Sequence, residues 1–417
     1  MNPICDNFPV FPNIWAAYEA IRHLEGQAEF CKGILPPFWN ERKEFTPFDT
    51  SGFEVDDFIF NQLQLNRDDV EYYRLFNIED GTPYLEQFTR YSLKPCLFNS
   101  KFLFRGQSKD YQSLKPSMLR DDSKNYFLED CIREQELSAF MAQHPLIQLL
   151  GIKGVEIAGR NIKLQANLYG LAQHYYNSTL LIDFSSSLDV AAFFAVTKSD
   201  FDSDSYLPVD LDSESIGLIY ALPIHTALTY NKDYGFPVSS IGKQFTLERP
   251  SRQLGFLVEV ERGRDLIDHP YLLKFRFYHN KEISRFIYNN WAKGMAIAPP
   301  DFVQKHWRDK KDYKSKTFEV SEKALDLNVY KNRRESRESI IEKLSHYKLE
   351  NGEDMFRLSG REWPEFPREI IEEYKADIRN GWWEDVFCDN LFFPMQPKRF
   401  RDAFLNLPKD PRYKDYF

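Results

Sequence analysis

Cysteine is scarce in this chain and never clustered. Its five copies in 417 residues, Cys5, Cys31, Cys96, Cys131 and Cys388, stand far apart, with no C-x-x-C and no histidine pair at zinc-finger intervals. That spacing argues against a disulfide framework and a structural zinc site, and reduced, buried thiols are expected. Long apolar runs are missing too. The longest is VAAFFAV at 190–196, far short of the ~20 residues a membrane-spanning helix needs. The opening MNPICDNFPVFPN has neither a basic start nor an apolar stretch of signal-peptide length, so a cytoplasmic protein with no membrane partner is expected. Positive charge is in deficit: 54 basic against 63 acidic residues give a formal charge of −9. The whole molecule therefore has no electrostatic pull toward nucleic acid, although a local basic patch remains compatible with it. The eight histidines are scattered, and no acidic pair sits at metal-ligand spacing outside the loop at 200–215, which lacks the glycine and terminal glutamate of an EF-hand. No metal is expected, and a metal-dependent nuclease is disfavoured.

What is present is enough apolar sequence for a large core, in two or three domains or one decorated domain. The pattern divides at about 85 and 265. Residues 1–84 mix proline, phenylalanine and acidic residues, with helices expected near 14–31 and 55–66, and read as an accessory segment. Residues 85–265 carry a helix over 84–92, the strand FLFRGQ, a helix through EDCIREQELSAFMAQH and another through NLYGLAQHYY. The strand TLLIDF, the helix SLDVAAFFAVT and the strands GLIYALP and FLVEV complete the run. This irregular alternation predicts an α+β domain of short strands and helices rather than a βαβ repeat. DFDSDSYLPVDLDSES at 200–215 reads as an exposed acidic loop. Residues 266–417 read as mainly helical, with helices over 281–293 and around RRESRESIIEKLSHYKLE.

Two stretches carry chemistry. In FLFRGQ, Phe102, Leu103 and Phe104 read as the end of a buried strand and Gly106 as a sharp change of direction, which puts Arg105 where strand meets loop. Arg105 is either paired in the core with Glu134, Glu136 or Asp183, or it awaits an anion, because its planar fork suits carboxylate and phosphate equally. In LAQHYYNSTLLIDFSSSLD, Gln173 and His174 close a helix, Asp183 ends a strand, and Ser185, Ser186 and Ser187 precede a helix. His174 is either a satisfied structural side chain or an acid–base group kept company by Gln173 and Asp183. The serines read as helix caps, and the same geometry offers an anion site.

FLFRGQ, LKPSMLR, GLAQHYYNSTLLIDFSSSLDVAAFFA, GLIYALP and RPSRQLGF together resemble, in order and spacing, the bacterial FRG domain, named for its Phe-Arg-Gly motif. The resemblance covers roughly 100–260. It departs where YYNSTLLIDF replaces a proline- and tryptophan-containing pattern and lacks an arginine often found there. The family layout is in turn similar to ADP-ribosyltransferase folds, and that similarity implies NAD as a substrate. Arg105 and Gln107 would then bind the nucleotide with Gln173, Ser185 and Ser187 would brace the nicotinamide ribose, and Gln253 would fall near a catalytic glutamate. A glutamine cannot serve as a carboxylate base, so transfer would need a nearby carboxylate or His174 as proton acceptor, with Glu248 and Glu259 close in sequence.

Two functions follow. One is an enzyme in which Arg105 binds NAD and His174, Asp183 and Gln253 serve ADP-ribosyl transfer or glycosidic cleavage; family association extends this to an effector in bacterial defence. The other is a nucleotide-sensing or protein-interaction module that binds without turnover and offers a partner surface on its flanking segments.

Overall fold

The computed structural model describes residues 9–26, 76–77, 88–92, 102–120, 127–157, 160–175, 178–200, 205–210, 215–223, 238–241, 247, 249–269, 271–307, 316–332, 335–379 and 409–416. In chain order the first elements are α1 (Ile14–Gly26), β1 (Phe76–Asn77), β2 (Phe88–Ser92), β3 (Phe102–Gln107) and α2 (Phe127–Ala142). Then come β4 (Val155–Ile157), β5 (Arg160–Gln165), α3 (Leu168–His174), β6 (Leu181–Ser185) and α4 (Leu188–Ala195). β7 (Thr197–Asp200), β8 (Ser205–Pro208), β9 (Ile216–Pro223), β10 (Val238–Ser240), α5 (Arg249–Arg252) and β11 (Gly255–Glu259) follow. Last are β12 (Leu273–Tyr278), α6 (Lys281–Asn290), α7 (Phe302–Trp307), β13 (Phe318–Val320), α8 (Glu322–Lys331), α9 (Arg337–Ser345), β14 (Phe356–Leu358) and α10 (Arg368–Arg379).

The organising feature is a six-stranded sheet in the order β10-β11-β6-β3-β9-β12, antiparallel at every pairing. Its fold class is α+β, with helices laid on an antiparallel sheet. Strand alternation sorts the side chains of β3. Phe102 and Phe104 pack with α1, α4 and Ile219, Phe275 and Phe277 on one face. Leu103 packs on the other with Ile182, Phe184, Tyr220, Phe256 and Val258. The sheet runs past residue 265, because β12 pairs with β9 along Leu273–Tyr278. It also recruits the N-terminal part: Phe11 exchanges main-chain hydrogen bonds with β12 at 2.8 and 3.0 Å, and Ile14, Ala17 and Ile21 of α1 are buried in the α4-side core.

Three expectations are corrected. The helix expected at 84–92 is instead strand β2 over its last residues, paired parallel with β5; Phe88, Thr89 and Tyr91 belong to the residue types that favour strands. Within the expected acidic loop at 200–215, Ser205–Pro208 is strand β8, paired antiparallel with β7, and Tyr206 and Val209 are buried. Tyr206 packs edge-on against Phe193 of α4, which supplies the apolar burial that composition alone concealed. Gly106 does not turn the chain, since β3 continues through Gln107. Its role is close approach: an added Cβ would lie 2.5 Å from the Ala195 nitrogen and 2.9 Å from the Ala191 carbonyl carbon of α4. The helix expected at 55–66 lies outside the described residues, as do the cysteines other than Cys131. That residue is a free, partly buried thiol, which burial pushes up to about 12.

α2 is buried around nearly its whole circumference, with Glu129, Asp130, Arg133, Glu134 and Glu136 among its buried residues. These charges have assigned partners, as burial demands. Arg133 Nε donates to Glu129 at 3.0 Å, and its guanidinium lies 4.4 Å from the Phe318 ring centre. Lys331 reaches Glu134 at 3.1 Å. Glu136 accepts from both the main-chain nitrogen and the hydroxyl of Ser321, at 3.0 and 2.7 Å. Ser321 is the N-cap of α8, so this carboxylate meets the positive end of a helix.

Candidate functional site

The β3–β6 seam is the weakest join in the sheet. β3 pairs with β9 through six rungs from Phe102 to Gln107, but with β6 through the single rung Phe104↔Ser185. A side chain continues the connection: Arg105 Nη1 donates to the main-chain oxygen of Asp183 at 2.7 Å. Arg105 is partly exposed, yet its Nε is buried without a hydrogen-bond partner. Burial lowers its pKa, and the Asp183 charge acts against that shift. Among the described residues Arg105 forms no salt bridge, since Glu134 and Glu136 are engaged on α2 and Asp183 meets it through a carbonyl.

The Asp183 side chain faces α3. Its Oδ2 accepts from Gln173 Nε2 at 3.0 Å, and the Gln173 amide is oriented in turn by the Thr179 hydroxyl, which donates to its Oε1. Oδ1 has no hydrogen-bond partner and lies 3.9 Å from His174 Nε2, beyond hydrogen-bond reach. His174 Nε2 is also buried and unpartnered, while Nδ1 is 3.0 Å from Gln253 Oε1. Burial holds the imidazole pKa below its ordinary value, against the opposing influence of Asp183 and Gln253, and Arg249 adds to the lowering. Gly255 gives the ring room, because a Cβ there would lie 3.3 Å from Cε1.

The serines are placed differently from the ligand contacts the resemblance implies. Ser187 is the N-cap of α4, its hydroxyl accepting from Val190 N. Ser185 Oγ donates to the Gln253 main-chain oxygen at 2.6 Å and accepts from Ser187 N at 2.9 Å. The Ser185 hydroxyl thus holds the turn that carries Gln253 toward His174, while the Ser187 hydroxyl caps α4. Gln107 ends β3 with a buried, unpartnered Oε1. Of the two glutamates near Gln253, Glu259 is exposed on β11 and Glu248 lies outside the described residues. The carboxylate beside His174 is therefore Asp183.

Residues 100–204 match the family model of the FRG domain. This stretch of the chain is an FRG domain. It takes in β3 through β7 and holds Arg105, Gln107, Gln173, His174, Asp183, Ser185 and Ser187, while Gln253 comes from beyond it. No curated protein matches the chain, and no solved structure does. No helix among the described residues is long and apolar enough to cross a membrane, and none of their His, Cys, Asp and Glu side chains group as a metal site.

Two contributors to this FRG-domain site escape a reading of motifs alone. Thr179 orders Gln173 from the loop before β6, and Tyr220 stands directly across from Arg105 on β9 with its hydroxyl buried and unpartnered. Tyr220 was findable in principle, since GLIYALP is an apolar strand interrupted by one polar atom.

Proposed function

We propose that the protein binds a phosphate-bearing nucleotide at Arg105 and cleaves its glycosidic bond, with NAD as the substrate. The observation that carries this reading is the double use of Asp183: its main chain holds Arg105 and its side chain confronts His174. An anion-binding cation and a proton-accepting pair are thereby tied to one residue at the open end of a seam.

The chemistry follows from that arrangement. Arg105, fixed by a neutral carbonyl, keeps a guanidinium edge for a diphosphate. Loss of nicotinamide develops positive charge on the ribose, which the Asp183 carboxylate stabilises. His174, neutral near pH 7, accepts the proton of the attacking hydroxyl. Transfer to water gives glycohydrolase activity, and transfer to another acceptor gives ADP-ribosylation. The test is calorimetric titration with NAD beside chromatographic assay of nicotinamide, using the parent and a folded Arg105→Ala variant. Binding that the variant loses, with nicotinamide released by the parent, upholds the proposal; a folded parent that ignores NAD ends it.

A second reading, a nucleotide sensor without turnover, is favoured by one observation. The hydroxyl of Ser185 is engaged by the Gln253 turn and that of Ser187 by the cap of α4, and Gln253 brings an amide where a transferase of the resembled type has a carboxylate. It predicts NAD binding with no nicotinamide release. The exposed, edge-to-face pair Trp15 and Phe286 would then be the place to look for a protein partner.

A further inference from the structure

His174 has two ring nitrogens in different settings, and the chain determines which carries the proton. Gln253 Nε2 points to the Ile297 carbonyl at 3.4 Å, and Gln253 Oε1 to His174 Nδ1 at 3.0 Å. Reversing the amide would set its oxygen against the Ile297 oxygen, two acceptors with no hydrogen between them. The orientation is therefore fixed by the carbonyl, and an amide oxygen facing Nδ1 requires a hydrogen on Nδ1. In a neutral imidazole this leaves Nε2 bare.

The turn that places Gln253 is held on several sides. Its nitrogen donates to Arg249 O at 3.0 Å, its oxygen accepts from Ser185 Oγ at 2.6 Å, and Ser186 N donates to Leu254 O at 3.1 Å. Leu254 adopts the left-handed conformation at φ 46°, which is uncommon and strained for a bulky side chain. The chain accepts that strain next to the residue that faces His174.

We infer that Gln253 is a positioning residue that locks His174 in the Nδ1–H tautomer, so that bare Nε2 and Asp183 Oδ1 form a paired acceptor for one hydroxyl of the ligand. Both atoms are buried and unpartnered, and at 3.9 Å two acceptors gain nothing from each other, so a shared donor completes both. The lock stands on the geometry alone; the identity of the hydroxyl rests on the nucleotide reading above. In the transfer step the attacking water or acceptor takes that hydroxyl's place: its O–H bond breaks and its proton passes to Nε2. Its electron pair forms the new bond to the ribose carbon, and nicotinamide departs with the pair of the old glycosidic bond. Asp183 steadies the resulting imidazolium. The charged groups facing the ring are Asp183 from β6 and Arg249 from α5, and they act in opposite directions on its protonation.

The test is long-range proton–nitrogen correlation spectroscopy on the full chain with labelled histidine, His174 being assigned by its loss in His174→Gln. Near pH 7 the expected signature is a protonated Nδ1 and a bare Nε2, and the reverse pattern overturns the lock. In Gln253→Glu a carboxylate replaces the amide, so the His174 pKa should rise by ~1–3 units; an unchanged titration overturns the positioning role. Should that variant not fold, Gln253→Met serves, with a mixture of tautomers expected and an undiluted Nδ1–H form counting against the proposal. Adding NAD should shift the Nε2 resonance, and calorimetrically proven binding without that shift refutes the paired acceptor. An absence of NAD binding would remove the nucleotide reading, while the tautomer measurement still decides the lock.

Discussion

Replacing Gly106 by alanine tests the construction of the site from the outside in. An alanine in a strand of ordinary backbone conformation normally gains ~0.5–1 kcal/mol over glycine by reducing unfolded-state freedom. Gly106 is not among the residues of positive φ, so a glycine that merely marked a change of direction at the strand end would give that gain. The structure predicts the opposite sign. The new Cβ would fall 2.5 Å from Ala195 N and 2.9 Å from Ala191 C, and inside contact with Ala191 O, all of them main-chain atoms of α4. Main chain cannot rotate away, so α4 must lift from β3, and α4 holds Leu188, Val190, Ala191, Ala192, Phe193 and Ala195 in the core.

Overpacking by a methyl costs ~1–3 kcal/mol where side chains can adjust; against main chain the upper end, about 3 kcal/mol, is the expectation. Gly263→Ala is the control. Gly263 has φ +90° and no atom within 4 Å of an added Cβ, so it reports conformational strain alone, ~1–2 kcal/mol. Denaturant midpoints of both variants against the parent give the comparison. Gly106→Ala should be the less stable of the two, and a variant as stable as the parent would refute the seating of α4 on β3.

Asp183→Asn should keep Arg105 in place, because that bond uses the main chain, while lowering nicotinamide release ~100-fold or more through loss of the carboxylate; full activity in a folded variant counts against the proposed chemistry. Arg105→Lys should weaken NAD binding at least tenfold by calorimetry, since one ammonium cannot serve both the Asp183 carbonyl and a diphosphate as a fork can. Ser321→Ala removes a helix cap and one of two donors to buried Glu136, and should cost ~1–2 kcal/mol in denaturant unfolding. Burial holds His144 down at about 3 and His269 at about 4. Between those values and the ordinary 6.5 the unfolded chain binds more protons than the folded one, so their stabilisation is complete above pH 6.5 and is lost as pH falls toward 3. Asp130, pushed up to about 7 by burial, acts with the opposite sign over about pH 4–7, so the test is a difference: His144→Gln should flatten the loss of thermal midpoint below pH 6.5 relative to the parent.

The strands of the sheet and the helices packed on it were legible because their sequences are strongly patterned. FLFRGQ, TLLIDF, GLIYALP and FLVEV each supply most or all of a strand, and LDVAAFFA is a helix capped by Ser187. The strand pair β7–β8 was not legible, because the burial of Tyr206 depends on Phe193 of α4 and not on the acidic composition around it. Gly106 was misread for a similar reason: a glycine needed for helix approach and one needed for a turn look alike until the helix is in place. Arg105, Gln173, His174 and Asp183 were singled out by residue type and order, and the fold brings them together around Asp183. The division of labour among them was not legible, since it depends on which atom of Asp183 meets which neighbour. Gln253 stood out as a glutamine near an expected glutamate, and only the fold shows it facing a histidine.

The distribution of charge explains why Arg105 differs from the buried ionic groups of α2. On α2, Arg133 meets a carboxylate and two aromatic rings, Glu134 a lysine, and Glu136 a helix N-terminus. Each arrangement satisfies charge with partners brought by folding, and breaking any of them leaves a buried ion at a cost of several kcal/mol. At the β3–β6 seam a carboxylate is present and is turned away: Gln173 holds one oxygen of Asp183 toward α3, and the carbonyl of the same residue takes the guanidinium. Had Asp183 closed directly on Arg105, the seam would be neutral and both groups spent. Keeping them apart leaves a donor edge on one side of β6 and an acceptor pair on the other, the arrangement on which the proposed nucleotide binding rests.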